Sequence, residues 1–307
     1  MWNLSFTPPE RIQAEVLTAM PDALRLPRPS AWADANKAGE PIDSFLEGPV
    51  FDRAGNLYVT DIPHGRILRI DAQGAWHVVA EYDGWPNGLA IHRDGSIWIA
   101  DYRRGLLRLS PEGGQPEAVL GHRNSESFKG INDLIFDAQG RCWFTDQGQT
   151  GMHDPSGRVY RYDPADGRLD VLLSNAPSPN GLALDAHGKA FFLAVTRGNA
   201  VWRGPVQRDG SLSKVGVLRT FFGTSGPDGM AVGANNELVV AHASLGGAFV
   251  LNAMGEVTHF VQSPCGKTIT NVAFRPGTRQ LVLTDSSTGT VLTAALPCEG
   301  AALYSHA

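Results

Sequence analysis

Apolar residues along this chain come in short bursts of five or six, each broken by Gly, Asn, Asp or Pro, and between Glu47 and Pro297 no stretch keeps the 3.6-residue spacing of an amphipathic helix. One burst pattern returns six times. The copies open at Glu47, Asn87, Asn132, Asn180, Asp228 and Asn271, 40 to 48 residues apart. Each copy reads as a hairpin: a short apolar strand, a Gly- or Asn-bearing turn such as Asp94-Gly95, then a strand rich in aromatic and β-branched residues, such as LYVTD ending at Asp61 or CWFTD ending at Asp146. Most copies continue with a third strand introduced by glycine, as in Gly65–Ile70, Gly105–Leu109 and Gly157–Tyr162. A fourth follows, as in Trp76–Ala80 and Arg168–Leu173. Four strands repeated six times predict an all-β chain, a six-bladed β-propeller with four-stranded blades. A β-sandwich of similar composition would not repeat at this period.

The repeats divide the chain into residues 47–307, the propeller, and residues 1–46, which precede the first copy. Within the latter, Arg11–Thr18 has the pattern of a closing strand for the outer edge of the last blade. The Pro- and Ala-rich stretch Pro21–Leu46, with Trp32 and Phe45, is too long for a plain connection. It either covers one face as a lid or wraps the surface.

A propeller places the first strand of every blade along its central channel, so the opening residues of the six copies form a ring. Read around the ring they are Glu47, Asn87, Asn132, Asn180, Asp228 and Asn271, two carboxylates and four amides. Polar groups converging on a narrow axis need partners, because one unsatisfied buried group costs about 1–3 kcal/mol. An all-oxygen set with two negative charges fits one divalent metal ion, calcium first, with magnesium, manganese and zinc as the other candidates. Asn and Asp also begin strands for ordinary turn-capping reasons, a reading that Asn87 and Asn271 satisfy equally well and Glu47 does not. The second strands end on the same face at Asp61, Asp101, Asp146, Thr196, His242 and Asp285, where a turn role is the simpler expectation. Substrate-facing candidates in the surrounding loops are Trp85, Asn87, Tyr102, Phe128, Lys129, Met152, His153 and His242.

Composition limits the partners. With 26 Lys and Arg against 31 Asp and Glu, a net charge of −5 and no basic run, nucleic acid and acidic lipid surfaces are not expected partners. Cys142, Cys265 and Cys298 stand far apart without metal-ligand spacing, which fits a reducing, cytoplasmic setting. No G-x-S-x-G elbow, H-E-x-x-H or P-loop occurs.

Four motifs carry a family resemblance: Glu47-Gly48-Pro49-Val50, Asn132-Asp133-Leu134, Pro179-Asn180-Gly181-Leu182 and Pro227-Asp228-Gly229-Met230. In these the chain resembles the gluconolactonase, senescence-marker protein (regucalcin) and luciferin-regenerating family. The resemblance implies a propeller with one axial divalent ion, used mostly to hydrolyse lactones. It implies Glu47, Asn180 and Asp228 as metal ligands, Asn132 as a ligand or a contact to bound water and substrate, and Asp228 as general base. In a phosphatase branch Asp228 would instead be the nucleophile on a phosphotriester. Sugar lactonases of the family carry an arginine where this chain has Gly130, which sets a sugar-acid lactone aside as the expected substrate. On these residues the expected activity is a metal-dependent lactonase, a carboxylic ester hydrolase taking a small-molecule lactone. The alternatives are a phosphotriesterase and a propeller that only binds a partner.

Overall fold

A computed structural model describes residues 8–306, so the first seven residues of the 1–46 segment, and Ala307, lie outside the described residues. The chain forms a six-bladed β-propeller. Its blades open with the strands Leu46–Phe51, Pro86–Ile91, Ile131–Phe136, Pro179–Leu184, Pro227–Val232 and Ile269–Phe274. Each opening strand pairs antiparallel with a second strand, the second with a third, and the third with an outer fourth. The opening strands also pack side by side in blade order around the axis, and the sixth returns to the first.

The second strands are the most thoroughly buried elements: Leu57–Asp61, Ile97–Asp101, Cys142–Asp146 and Leu238–His242 have no exposed residue. Successive side chains of a strand point to opposite faces, and in a blade both faces meet a neighbouring blade. Leu57 and Val59 therefore enter the apolar cluster between blades six and one, while Tyr58 enters the one between blades one and two. Six such clusters fill the six seams. Each fully buried large apolar side chain contributes about 1.5–3 kcal/mol, so the seams carry most of the stability. The near-continuous apolar runs in these strands follow from burial on both sides.

Closure of the ring uses the N-terminal segment in two pieces. Glu15–Ala19 pairs antiparallel with Thr290–Ala295 and completes blade six as its outer strand. Glu10–Gln13 instead runs parallel to Val257–Gln262, a fifth strand on blade five. Two blades are thus tied to one short stretch of chain. Hydroxyls reinforce the ring near the axis: Thr60 Oγ1 donates to the Asn87 carbonyl, Thr196 Oγ1 to Pro227 and Thr270 Oγ1 to Leu46, each at 2.8 Å and each linking one blade to the next.

Pro21–Phe45 lies against blades six and one. Arg25 Nη1 donates to the Thr288 carbonyl at 2.7 Å, Arg66 Nη2 to that of Leu24 at 2.7 Å, and Arg28 Nε to His64 Nδ1 at 2.9 Å. Its short helix Ala31–Asn36 is capped by Ser30 and buries Trp32, whose ring packs 4.8 Å from Phe45. At the opposite end of the channel, Ala301–Ser305 crosses beneath a cavity of about 600 Å³ enclosed by the opening strands. Tyr304 anchors that crossing, 5.2 Å from the His92 ring and 4.5 Å from the Arg93 guanidinium. No helix among the described residues is long and apolar enough to cross a membrane.

The aspartates that end the second strands hold loops. Asp61 accepts from Phe45 N at 2.8 Å, Asp146 from Gly130 N at 2.9 Å and Asp285 from Gly266 N at 2.7 Å, in each case the loop that leads into the same blade's opening strand. Asp61 also pairs with Arg66 through Nε at 2.9 Å, both side chains nearly inaccessible. Burial raises the Asp61 pKa and the Arg66 charge opposes that rise. Removing one member of such a pair leaves an uncompensated buried charge, at a cost of about 3–5 kcal/mol. Arg66→Met should therefore lower the urea midpoint by that equivalent, and a change below about 1 kcal/mol would refute the role assigned to the pair.

Candidate metal centre and active site

The opening strands reach the axis through a repeated irregularity. In every blade the pairing of the first two strands shifts register at the position of the motif, as between Pro86 and Leu89 or between Ile131 and Leu134. Such a bulge sets two residues opposite one and re-aims their side chains. Asn132 and its neighbour Asp133 are consequently both buried in the ring, although a regular strand would send them to opposite faces. Space for Asp133 comes from blade two: a Cβ on Gly88 would collide with the Asp133 carboxylate and would stand 2.8 Å from its Cα.

The ring residues are buried as a set. Glu47, Asn87, Asn132, Asn180, Asp228 and Asn271 are each 4–7 % exposed, apart from Asp228 at 8 %. Glu47 Oε2 accepts from Gly48 N at 2.6 Å and from Asn271 Nδ2 at 2.8 Å. The Asn271 bond to Glu47 joins blades six and one at the ring. Asn180, from the neighbouring blade four, works against the rise that burial imposes on the Asp228 pKa. Asn132 Nδ2 donates to Gln147 Oε1 at 2.8 Å, and Gln147 Nε2 donates to Ser178 Oγ at 3.0 Å. That chain orients the Asn132 amide and leaves its carbonyl oxygen unengaged by it.

The electrostatics are those of a site without a counter-charge of its own. Desolvation pushes the Glu47 carboxyl up from 4.5 to about 7. Asp133 and Asp228 are held well above the ordinary carboxylate range, first by burial and then by the Glu47 charge; Asp133 adds to the effect on Asp228. Three carboxylates gathered where each opposes ionisation of the others need a cation to be charged together. Among the described residues no three His, Cys, Asp or Glu side chains converge to hold an ion unaided. A metal here would thus draw on amide oxygens as well, and the residues fit that requirement: Glu47, Asp228 and Asn180 offer hard oxygen donors in one buried ring, with Asn132 beside them.

The rim residues expected from the sequence divide. Trp85 and Tyr102 are half-buried, their rings tilted 34° to each other at 5.8 Å, with Arg103 5.6 Å over the Trp85 ring. Gln149 Nε2 donates to the Tyr102 hydroxyl at 3.0 Å. Burial raises the Tyr102 pKa to about 12. Lys129, Met152 and His153 are exposed, the last two on the loop from Gln147 to Ser156. Phe128 packs edge-on against Phe144 and Tyr160 inside blade three, each at 5.4 Å. His242 is corrected from a rim residue to a packing residue. It is fully buried between Phe221 and Phe249, and desolvation lowers its pKa to about 4.

Asp133, Gln147 and Arg197 were not among the candidates read from the sequence. Asp133 carried one signal, an acid at the motif position where other copies have Gly48, Gly88, Gly181 and Gly229. Gln147 and Arg197 stand in connecting loops outside the repeat pattern, with nothing to mark them.

The raised Glu47 pKa makes the metal-free protein sensitive to pH. The native state binds more protons than the unfolded chain between about 4.5 and about 7. Stability is therefore greatest below that window and falls as pH rises through it. The chelated protein should lose several degrees of Tm between pH 5 and pH 8, and Glu47→Gln should flatten the slope. A flat profile in the chelated wild type, or an equal slope in both proteins, would contradict this account.

Comparison with known proteins places this chain in a family. The family profile described as SMP-30/Gluconolactonase/LRE-like region matches residues 45–287, more than three quarters of the chain. Lactonase drp35 from Staphylococcus epidermidis is 28% identical over 255 residues, 78% of this chain and 77% of that protein. Lactonase drp35 from Staphylococcus aureus is 26% identical over 274 residues, 82% of this chain and 80% of its own length. Among solved structures, a gluconolactonase from Xanthomonas campestris superposes with a TM-score of 0.73 at 22% identity, covering 83% of this chain and 86% of its own. A calcium-binding regucalcin from Agrobacterium tumefaciens gives 0.75 at 18% identity, covering 98% and 100%. At those identities the two structures speak to the fold. With its profile match spanning all six ring positions, the chain belongs to the SMP-30/gluconolactonase/LRE-like family.

Proposed function

We propose that this protein is a divalent-metal-dependent lactone hydrolase, with Glu47, Asn180 and Asp228 as metal ligands, Asn132 beside them and calcium as the expected ion. The observation that carries the reading is the buried ring itself, in which Glu47, Asp133 and Asp228 lie with amide oxygens and, among the described residues, without an ion pair to a basic side chain. Family membership and relatives named lactonase support the choice of ester ring as substrate. The calcium-binding neighbour supports the ion.

When bound, a divalent cation would supply the positive charge that polarises an ester carbonyl and offsets the negative charge developing during attack. The chain's own residues do the rest. Glu47, held through Oε2 by Gly48 and Asn271, keeps its other oxygen for the ion. Asn132, oriented by Gln147, presents its carbonyl oxygen to ligand or water. Asp228 takes a proton from water as the water oxygen bonds to the lactone carbonyl carbon. The ring carbon–oxygen bond then breaks, and Asp228 returns the proton to the departing alkoxide. The product is the open hydroxy acid, with no other reactant consumed.

A panel of aliphatic, aromatic and sugar lactones, assayed before and after chelation, tests this directly. Activity should vanish on chelation and return with added calcium. Asp228→Asn should lower kcat by about 10²–10⁴-fold, the range for a lost general base. Activity indifferent to both treatments would sink the mechanism. Labelled water in a single turnover separates the phosphotriesterase alternative, because label appearing in Asp228 would mark it as a nucleophile.

A further inference from the structure

One guanidinium above the ring is without a partner. Arg197 occupies the single turn Thr196–Gly198 that follows the second strand of blade four, and it is exposed. Its backbone is firmly placed. Thr196, immediately before it, is buried; its hydroxyl donates to the Pro227 carbonyl at 2.8 Å, and Pro227 directly precedes Asp228. Thr196 N donates to Ser178 O at 3.0 Å, and Asn199, at φ 47°, ends the turn with Nδ2 donating to Ser225 O at 2.9 Å. The loop of blade three closes the other side: a Cβ on Gly151 would lie 3.6 Å from the Arg197 Cβ and 3.2 Å from His153 Nδ1.

The end of the side chain is free. Arg25, Arg66, Arg103, Arg141 and Arg161 all pair with carboxylates within 3.0 Å, whereas among the described residues the Arg197 guanidinium has neither an ion pair nor a hydrogen bond. A planar fork of donors fixed at its root beside the ring and open at its tip matches a carboxylate, which it can grip through two parallel hydrogen bonds.

Over blades two and three the mouth carries the aromatic pair Trp85 and Tyr102, with Arg103 and Gln149 at its edge. Tyr102 lies flat on Gly130, where a Cβ would come within 2.6–2.7 Å of three of its ring atoms, and Gly130 has φ 154°. Only glycine at that position permits the Trp85–Tyr102 pair to form this wall.

We propose that Arg197 is a specificity residue that binds a carboxylate carried by the substrate outside its ester ring, so that the preferred substrate is an anionic lactone whose remaining surface is apolar enough to lie along Trp85 and Tyr102. This rests on the lactone-hydrolase reading of the same site. Hydrolysis of such a lactone adds water across the ring ester and releases a hydroxy-dicarboxylate, while the carboxylate held by Arg197 passes through unchanged.

The test compares pairs of γ-lactones that differ only in a pendant carboxylate or its methyl ester, using calcium-loaded wild type, Arg197→Met and Arg197→Lys with matched Tm. For the carboxylate lactone, Arg197→Met should raise KM about 10- to 100-fold, the range for a lost charge-assisted hydrogen bond, with kcat within about threefold. The KM for the ester twin should not move, and Arg197→Lys should recover part of the loss. Equal loss on both twins, or a wild-type preference for the ester, overturns the proposal. Calorimetric binding of the hydroxy-dicarboxylate product to the same three proteins decides it independently: weakening in Arg197→Met supports the assignment and unchanged affinity overturns it. If the wild type opens no lactone at all, the hydrolase reading fails, and the calorimetric comparison still settles the role of Arg197.

Discussion

Three carboxylates buried on one axis set the terms for the rest of this molecule. Glu47, Asp133 and Asp228 come from blades one, three and five, and each raises the cost of ionising the others. A chain does not gather such groups for stability, since each buried charge without a partner costs several kcal/mol. The bulges in the opening strands, the glycine that makes room for Asp133 and the bonds from Gly48 and Asn271 to Glu47 all serve to hold acids where they are expensive. A cation would remove that expense, which is why the buried ring is proposed as a metal centre; among the described residues no basic side chain forms an ion pair with it.

The scaffold tolerates this burden because its stability lies elsewhere. Six apolar seams, packed on both faces of every second strand, supply it at some distance from the axis. Threonine hydroxyls lock neighbouring blades near the ring, and the N-terminal strands bind blades five and six. The aspartates at the second-strand ends fix the loops of the mouth. Polar residues just outside the ring thus have scaffold duties.

Around the mouth the sixfold pattern is broken. Blade one is covered by Pro21–Phe45, blades two and three carry the Trp85–Tyr102 wall on Gly130, and blade four offers an unpaired arginine. Relatives that share the fold can share a ring while differing here, because loops accept substitutions that the seams do not. On the proposed reading, selection among ester rings would fall to this broken symmetry, and the buried ring would supply what all such reactions need.

The six-bladed architecture and the family were legible in the chain, because a repeat of 40 to 48 residues with apolar runs at fixed offsets admits few other folds. The ring positions followed from the same periodicity. What the sequence left hidden has specific causes. Asp133 reaches the axis only because a bulge suspends strand alternation, and alternation is the rule by which a sequence is read. His242, polar and at a strand end like its aspartate counterparts, is buried by Phe249 of its own blade and by Phe221, which follows the outer strand of blade four, so its surroundings depend on how two blades pack. Arg197 lies in a turn that resembles any surface loop until Thr196 is seen to fasten it beside Asp228, 31 residues further along the chain. Local pattern determined which strands form and in what order. Only tertiary packing decided which side chains meet at the axis and which charge is left without a partner, since those depend on distances between blades that no single segment encodes.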